Sequence, residues 1–299
     1  IILEKSYHAF VAIVGKPNVG KSSLMNALMG EKIAIVSDKP QTTRTKITGV
    51  LTQGAYQYVF LDTPGHHKGR TKLSEHMTDT VRDSMEDVDV VLLMTEADCD
   101  KVTKAEQDLM ERLRHSKCPA ILVINKIDRL TDKSVLIHRI SQFTELFDFA
   151  AVVPISVMEN DGLSSVIEEI KPHAVEGIHY FPDDTLTDQP EKVIAAEMIR
   201  EQLLRHLEQE IQHVTAVVIE RMKERPDGSL IDIQAEIYCE KASHKGIIIG
   251  KNGSMLKRIA TESRKEIEAF LGTKINLQCW VKVRDDWRNN ERFMKNFGL

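Results

Sequence analysis

A glycine-rich segment near the start of the chain has the residue types and spacing that bind phosphate groups. Its fixed positions, spaced as GxxxxGKS, are Gly15, Gly20, Lys21 and Ser22. A buried strand is expected before this segment, and a helix that stops at Gly30 is expected after it, which is the context that gives the spacing its meaning. The loop N–H groups and the helix N-terminus would hold phosphates, Lys21 would reach the terminal phosphates, and the Ser22 hydroxyl would hold Mg²⁺.

Two further segments supply groups for the metal and for the terminal phosphate. Segment 40–44 (PQTTR) lacks helical periodicity, and there Thr43 is the predicted second Mg²⁺ ligand and γ-phosphate sensor, with Thr42 as the alternative. Segment 62–65 (DTPG) follows an apolar strand, so Asp62 would hold Mg²⁺ through water and the Gly65 N–H would contact the γ-phosphate. The predicted metal ligands are therefore Ser22, Thr43 and Asp62.

The segment Asn125-Lys-Ile-Asp128 predicts which base is bound. A carboxylate fits the adjacent N1–H and amine donors of guanine, whereas the acceptor at adenine N1 would leave the Asp128 carboxylate unpaired. Asn125 would tie the loops together, the Lys126 stem would lie over the base, and a backbone N–H at Ser156-Val157 would contact guanine O6. The predicted ligand is therefore GTP or GDP.

The elements that must position these groups can be predicted from apolar runs. Segments 47–52 and 56–61 read as a hairpin, and further strands are expected at 88–94, 120–124 and 151–155. A helix is expected over 104–115. Strands that alternate with helices predict an α/β fold, with a doubly wound, largely parallel sheet. The domain that carries this sheet is assigned to residues 1–172.

A second domain, assigned to residues 191–299, is expected after a polar linker at 173–190 that contains two prolines. Its elements would be a helix at 191–207, strands at 215–222, 231–238 and 275–283, and a final helix over 287–297. Between the last two strands an apolar helix, the turn Gly250-Lys-Asn-Gly253 and a basic helix form the arrangement of a KH domain. Such a turn clamps a single-stranded RNA backbone, and the helix-first order resembles the α+β type II topology. The predicted RNA-binding residues are Lys245, Gly250, Lys251, Asn252, Gly253 and Lys257.

The charge distribution and the cysteine content indicate what kind of partner the protein binds and in which cell compartment it works. The net charge of −5 is uneven, because residues 240–299 hold 13 Lys and Arg against 7 Asp and Glu. A basic C-terminal end on an acidic body indicates a polyanionic partner. The four cysteines lack CxxC spacing, so neither a zinc site nor a disulfide framework is expected. These features, with no long apolar run, predict a cytoplasmic protein.

The order GKPNVGKS, PQTTR, DTPG, NKID, SV resembles the Era family of bacterial GTPases over nearly the whole chain. The resemblance implies a GTP-hydrolysing switch in small ribosomal subunit assembly and 16S rRNA maturation, with the KH domain on the 3′ end of the small-subunit rRNA. Two positions depart from the family: Val157 replaces a usual Ala, and His66 replaces an aliphatic residue. His66 either positions the attacking water or is a solvated loop residue. The predicted catalytic residues are Lys21, Thr43, Gly65 and His66, and the predicted GTP-binding residues are Gly15, Asn18, Val19, Gly20, Lys21, Ser22, Ser23, Asp62, Gly65, Asn125, Lys126, Asp128, Ser156 and Val157.

Three alternatives stay open at this point. In related GTPases an Asn at the position of Asn18 helps to bind K⁺, but this residue could instead cap its own turn. An RRM would need exposed aromatic residues on its sheet, and the candidates are Tyr238 and Trp280, of which Trp280 could instead pack under the final helix. The third alternative is a GTP-regulated signalling protein, peripheral at the inner face of the cell membrane, that contacts anionic lipid through the helices at 191–207 and 287–297. For the main interpretation, a monomer is expected.

Overall fold

The computed structural model describes residues 5–37, 39, 42–65, 71–116 and 118–297, apart from the side chains of residues 209 and 210. Contacts between residues divide the chain into two compact units, and the main boundary falls between residues 188 and 189. The predicted fold class, a doubly wound α/β unit followed by an α+β unit, is confirmed.

The first unit is built on one sheet with helices on both faces. Its strands are β1 (Tyr7–Gly15), β2 (Ile47–Gln53), β3 (Tyr56–Asp62), β4 (Val90–Glu96), β5 (Ala120–Asn125), β6 (Ala151–Pro154) and β7 (Val175–Glu176). Its helices are α1 (Lys21–Met29), α2 (Lys72–Asp83), α3 (Lys104–Ser116), α4 (Lys133–Thr144) and α5 (Leu163–Ile170). The strand order is β2-β3-β1-β4-β5-β6, with β7 on β1. The β2–β3 hairpin is antiparallel, as predicted, and β3, β1, β4, β5 and β6 run parallel.

Both faces of this sheet are buried, which explains why its strands read as continuous apolar runs. Successive side chains of a strand point to opposite faces. Val11 and Ile13 therefore pack in one cluster with α1 and α5, while Ala12 and Val14 pack in a second cluster with α2, α3 and α4. The strand order reverses at β1, so the loop after β1 lies at the position where ligands bind in such sheets.

Most of the segment predicted as a linker packs on the first unit, and residues 175–188 are named the strap here. β7 pairs antiparallel with β1. The fully buried Gln57 accepts hydrogen bonds through Oε1 from the N–H groups of Tyr180 and Phe181, at 2.8 and 3.0 Å. The Leu186 carbonyl accepts from the Val50 N–H at 2.8 Å. The boundary between the units thus falls close to the end of the predicted linker.

The second unit is built on a three-stranded sheet of order β10-β9-β8. The strands are β8 (Ala216–Glu224), β9 (Ile231–Cys239) and β10 (Ile275–Val283), and the helices are α6 (Glu191–His206), α7 (Gln209–His213), α8 (Ala242–Ile249), α9 (Ser254–Leu271) and α10 (Glu291–Asn296). β9 is antiparallel to β8 and parallel to β10. Its core joins alternate residues of the strands to α6, α8 and α9.

One prediction near the C-terminus is wrong, and one of the open alternatives is excluded. The final helix is not continuous from residue 287, because Asn290 has an extended backbone and its side chain accepts from the Arg292 N–H at 3.1 Å, so it caps α10. Trp280 does not pack under that helix, since it is 45% exposed, whereas Trp287 is fully buried and donates from Nε1 to the Val214 carbonyl at 2.9 Å. Tyr238, the other RRM candidate, is buried against Phe297.

Within the part of the chain that the structure describes, no helix has the length and apolar character needed to cross a bilayer.

Candidate functional site

The three predicted metal ligands meet at the carboxyl ends of β1 and β3. Ser22 Oγ lies 3.0 Å from Thr43 Oγ1 and donates to Asp62 Oδ2 at 2.5 Å. Thr43 Oγ1 lies 3.5 Å from the same carboxylate oxygen. The alternative ligand, Thr42, instead donates its hydroxyl to the Lys39 carbonyl at 2.6 Å. A set of two hydroxyls and one carboxylate consists of the hard oxygen donors that Mg²⁺ prefers.

Two opposite charges, Asp62 and Lys21, are buried at this position, which fits a site that receives both a cation and phosphates. Asp62 is fully buried, and its Oδ1 has no hydrogen-bond partner among the described residues. Burial raises the pKa of the Asp62 carboxyl, an effect that the Lys21 charge opposes. Burial lowers the pKa of the Lys21 ammonium, whose Nζ donates to the Gly15 and Lys16 carbonyls at 3.3 and 3.1 Å.

Two glycines allow backbone segments to approach each other closely here. At Gly20 a Cβ atom would lie 2.3 Å from Asn125 Nδ2, and the backbone has a φ of 104°. At Gly65 a Cβ atom would lie 2.8 Å from the Pro17 Cα and N atoms. The Gly65 backbone therefore lies against the phosphate loop, as the predicted γ-phosphate contact requires. A Cβ atom would clash with the Asn125 side chain at position 20 and with Pro17, including its backbone, at position 65.

Asn125 and Lys126, at the end of β5, cross-link the loops. Asn125 donates from Nδ2 to the Val19 carbonyl at 2.9 Å and accepts through Oδ1 from the Val157 N–H at 3.2 Å. Lys126 Nζ donates to the Asn18 carbonyl at 2.8 Å. The base loop and the phosphate loop are thus held together by side chains of the motif itself, as the sequence predicts for Asn125.

The Asp128 carboxylate is exposed and oriented by one neighbour. Its Oδ1 accepts from the Ser156 hydroxyl at 2.5 Å, which leaves Oδ2 for a ligand. The Ser156 N–H donates to the Asp161 carbonyl at 3.1 Å. Since the Val157 N–H already donates to Asn125, a contact from that N–H to guanine O6 would have to share it. Sequence reasoning assigned only backbone groups to this segment and missed the Ser156 hydroxyl.

Sequence reasoning also missed the acidic partner of Lys126. Glu96, the last residue of β4, forms an ion pair with Lys126 Nζ, and both side chains are mostly buried. Glu96 lies beside Asn125 in the β4–β5 register, which is why the two loops meet at this carboxylate. No motif contains Glu96, so only the pairing of the strands reveals it.

The remaining predicted positions are placed as follows. Ser23 lies in the first turn of α1, and Asn18 has a φ of 67°, a left-handed conformation that Asn tolerates better than most residues. His66 lies outside the described residues, so its role stays a prediction.

In the second unit the predicted turn joins two helices, as expected. Gly250 and Gly253 have φ values of 73° and 76°, and Asn252 between them has a φ of 53°. At Gly250 a Cβ atom would lie 2.7 Å from Met255 Cβ, so the turn needs glycine there. Lys251 and Asn252 are exposed at its tip.

Basic side chains and one exposed apolar side chain flank this turn. Lys257 is exposed in the first turns of α9, and Lys245 is half-buried in α8. Ile247 of α8 is 51% exposed, although its neighbour Ile248 is in the core. An exposed aliphatic side chain beside a polar, glycine-bounded turn offers a surface against which a base can pack, and it was not among the predicted residues.

Comparisons with known families match both units. The family described as 50S ribosome-binding GTPase matches residues 10–126, and the family described as KH domain matches residues 210–288. The first match begins in β1 and ends at Lys126. The second spans the whole three-stranded sheet and the glycine turn.

Relatives match this chain over nearly its whole length. The GTPase Era of Alkaliphilus metalliredigens is 49% identical over 289 residues, which cover 97% of each chain. That of Clostridioides difficile is also 49% identical over the same share of both chains. A crystal structure of Era in complex with MgGDPNP and nucleotides 1506–1542 of 16S ribosomal RNA has a TM-score of 0.92 at 34% identity, covering 98% of this chain and 99% of that one. A variant of Aquifex aeolicus Era bound to GDP and AlF4⁻ has a TM-score of 0.92 at 35% identity, with the same coverage.

Proposed function

Because the chain belongs to the Era family of GTPases, we propose that it is a GTP-hydrolysing switch that binds single-stranded rRNA through its KH domain. The process would be assembly of the small ribosomal subunit and maturation of 16S rRNA. The solved relative binds nucleotides 1506–1542 of that RNA, which supports its 3′ end as the ligand here. The observation that carries the proposal is the convergence of Ser22, Thr43 and Asp62 beside the phosphate loop.

Ser22, Thr43 and Asp62 would hold Mg²⁺, which would supply positive charge to the phosphates of GTP. Lys21, held near the loop by the Gly15 and Lys16 carbonyls, would supply a second cationic charge to the terminal phosphates. The N–H groups at the start of α1 and the Gly65 N–H would donate to phosphate oxygens.

The base would be read by Asp128. Its Oδ2, left open by the Ser156 contact, would accept from the donors of guanine, while Asn125 and Lys126 keep the base loop on the phosphate loop. A carboxylate in this position rejects adenine, because its acceptors would meet an acceptor.

The RNA would be held by the turn at residues 250–253. Its two glycines let the RNA backbone approach closely, and the exposed Lys251 adds positive charge. Lys245 and Lys257 would contribute further phosphate contacts, and Ile247 would pack against a base. The net basic charge of residues 240–299 favours the same partner.

Two assays on one variant, RNA binding and GTP hydrolysis, test whether the two units carry separate activities. Lys251→Asp with Asn252→Asp puts two carboxylates in the turn, and Asp tolerates the left-handed backbone of residue 252. Binding of single-stranded RNA at fixed salt should fall at least about tenfold, while single-turnover GTP hydrolysis should stay unchanged. A folded variant with wild-type RNA affinity would contradict the RNA site. If instead the protein binds anionic lipid vesicles and the wild type binds no RNA, the membrane-surface alternative is favoured. Light scattering checks the expected monomer.

We further propose that Asn18 helps to bind K⁺ near the phosphates, as an Asn at this position does in related GTPases. The support is its place in the loop between Gly15 and Gly20, in a left-handed conformation. Turnover should then be faster in K⁺ than in Na⁺ at equal ionic strength, and Asn18→Ala should abolish the difference. Equal rates in the two salts for the wild type would assign Asn18 to the turn alone.

A further inference from the structure

The side chain of Lys16, the second residue of the phosphate loop, has a partner that lies outside every motif. Lys16 Nζ is 3.5 Å from Glu106 Oε1, in the first turn of α3, and 3.9 Å from Cys99 Sγ. The Lys16 side chain is only 17% exposed, and that of Glu106 is fully buried. A loop residue is thus tied to a carboxylate in the interior of the first unit.

Glu106 is a fixed anchor because the interior holds it on several sides. It accepts from the Thr95 hydroxyl at 2.6 Å, and from the N–H and hydroxyl of Thr103, both at 2.7 Å. Burial by itself would raise the pKa of the Glu106 carboxyl, but these hydrogen bonds and the Lys16 charge lower it below the usual value. The carboxylate is therefore ionised near neutral pH and available to an ammonium group.

A second buried charge completes the anchor. Arg139 of α4 is 1% exposed, and its Nη2 lies 3.2 Å from Glu106 Oε1 and donates to Thr95 Oγ1 at 2.7 Å. Its Nε donates to the Glu96 carbonyl at 3.2 Å, and its guanidinium lies over the Phe143 ring. Glu106 thus keeps a cationic partner even when Lys16 is removed.

The backbone of Lys16 links this anchor to the phosphates. Its carbonyl accepts from Lys21 Nζ at 3.1 Å, so the residue tied to Glu106 also holds the lysine that is predicted to reach the terminal phosphates. We propose that Glu106, supported by Arg139, is a positioning residue that fixes Lys16 and thereby preorganises the phosphate loop and Lys21 for nucleotide. This inference rests on the proposed nucleotide site and names a determinant of nucleotide retention within it.

The test measures the dissociation rate of a fluorescent GDP analogue from the full chain by stopped flow. Lys16→Met removes the charge and keeps the length, and the Glu106–Arg139 pair remains. GDP release should become about tenfold faster, because the phosphate loop is no longer held by the ion pair. A tenfold change corresponds to about 1.4 kcal/mol of binding energy. The unfolding temperature without nucleotide should stay close to that of the wild type. Lys16→Arg keeps the ion pair, so its release rate should stay within about twofold of the wild type.

The matched control is Lys5→Met. Lys5 pairs with Glu176 at 2.8 Å in the same unit, but both side chains are more than half exposed and lie on β7 and the chain before β1. The control should release GDP at the wild-type rate. Glu106→Gln should accelerate release as Lys16→Met does, and the double variant should be no faster than the faster single variant.

Three results would overturn the proposal: wild-type release from Lys16→Met, equal acceleration in the Met and Arg variants of Lys16, or fully additive effects of the Lys16 and Glu106 substitutions. If Glu106→Gln does not fold, the two Lys16 variants decide alone. Lys21→Met separates this proposal from the nucleotide site itself. If Lys21→Met binds nucleotide like the wild type, the proposed nucleotide site is wrong, whatever the Lys16 variants show.

Discussion

Asp128→Asn should exchange the base preference of the protein from guanine to xanthine. The Asp128 Oδ1 accepts from the Ser156 hydroxyl at 2.5 Å, and an Asn at this position can keep that contact through its amide oxygen. The amide NH2 group then occupies the place of Oδ2 and faces the base. It meets a donor on guanine but a carbonyl oxygen on xanthine, so the pairing reverses without any change of backbone.

The size of the effect follows from the charge that is lost. Hydrogen bonds to an ionised group contribute about 1.5–3 kcal/mol each, and a donor left facing a donor adds a further cost. A loss of about 3 kcal/mol corresponds to roughly a 100-fold higher Kd for GDP. The Kd for XDP should fall by a comparable factor, and equilibrium titration of both nucleotides measures the two changes.

The matched control is Asp132→Asn. Asp132 caps α4, where its side chain accepts from the Ser134 N–H at 2.8 Å, and Asn caps helices about equally well. This variant makes the same change of charge four residues away and should leave both affinities unchanged. A GDP affinity of Asp128→Asn within twofold of the wild type would refute the assignment of Asp128 to the base.

Two further predictions concern the metal ligands and an exposed ion pair. Thr43→Ala should raise the Mg²⁺ concentration for half-maximal hydrolysis about tenfold or more, because Thr43 Oγ1 lies 3.0 Å from Ser22 Oγ. Thr42→Ala should change that concentration little, since the Thr42 hydroxyl donates to the Lys39 carbonyl instead. The opposite order would assign the ligand to Thr42. Arg225 lowers the pKa of Asp232 from its ordinary value of 3.8 to about 2. The folded state therefore holds this proton more weakly than the unfolded state, so the pair stabilises above pH 4 and its contribution is lost as the pH falls through 2. The difference in unfolding temperature between the wild type and Asp232→Asn should shrink from pH 5 towards pH 2, and a constant difference would contradict the assignment.

The convergence of the candidate metal ligands could be predicted because each lies in a short motif next to an apolar strand. Ser22, Thr43 and Asp62 come from three separate segments, yet each follows or precedes an apolar run that the parallel sheet brings to one edge. The carboxyl ends of parallel strands meet there, so the order of motifs along the chain already implies their meeting in space. The distances in the structure confirm that meeting.

The Glu106–Arg139 pair could not be predicted by the same reasoning. Both residues lie in helices whose other charged residues are exposed or half-buried, and the type of a residue does not show which charge is fully buried. The pair becomes visible only when α3 and α4 are placed on the same face of the sheet, with Thr95 between them. Buried ion pairs depend on such three-dimensional neighbours.

Trp280 shows a different kind of failure, because the sequence did contain the answer. Leu277, Cys279 and Val281 alternate along β10, and a strand sends alternate residues to opposite faces. Trp280 therefore shares the open face, which the alternation along β10 already indicates. Trp287 follows the strand in a segment without periodicity, so no pattern could assign it to the core.

The strap explains why a polar composition does not by itself mean a free linker. Residues 175–188 have few apolar side chains to bury, but their backbone groups still need partners. Gln57, fully buried between β2 and the strap, supplies two of them with one amide oxygen, and it donates from Nε2 to the Phe181 carbonyl at 2.9 Å. In the sequence, the packing of the strap is indicated only by a single polar residue in an otherwise apolar strand. Gln57 lies between Tyr56 and Tyr58 in β3. Its polar side chain is explained there by its hydrogen bonds to the backbone of Tyr180 and Phe181.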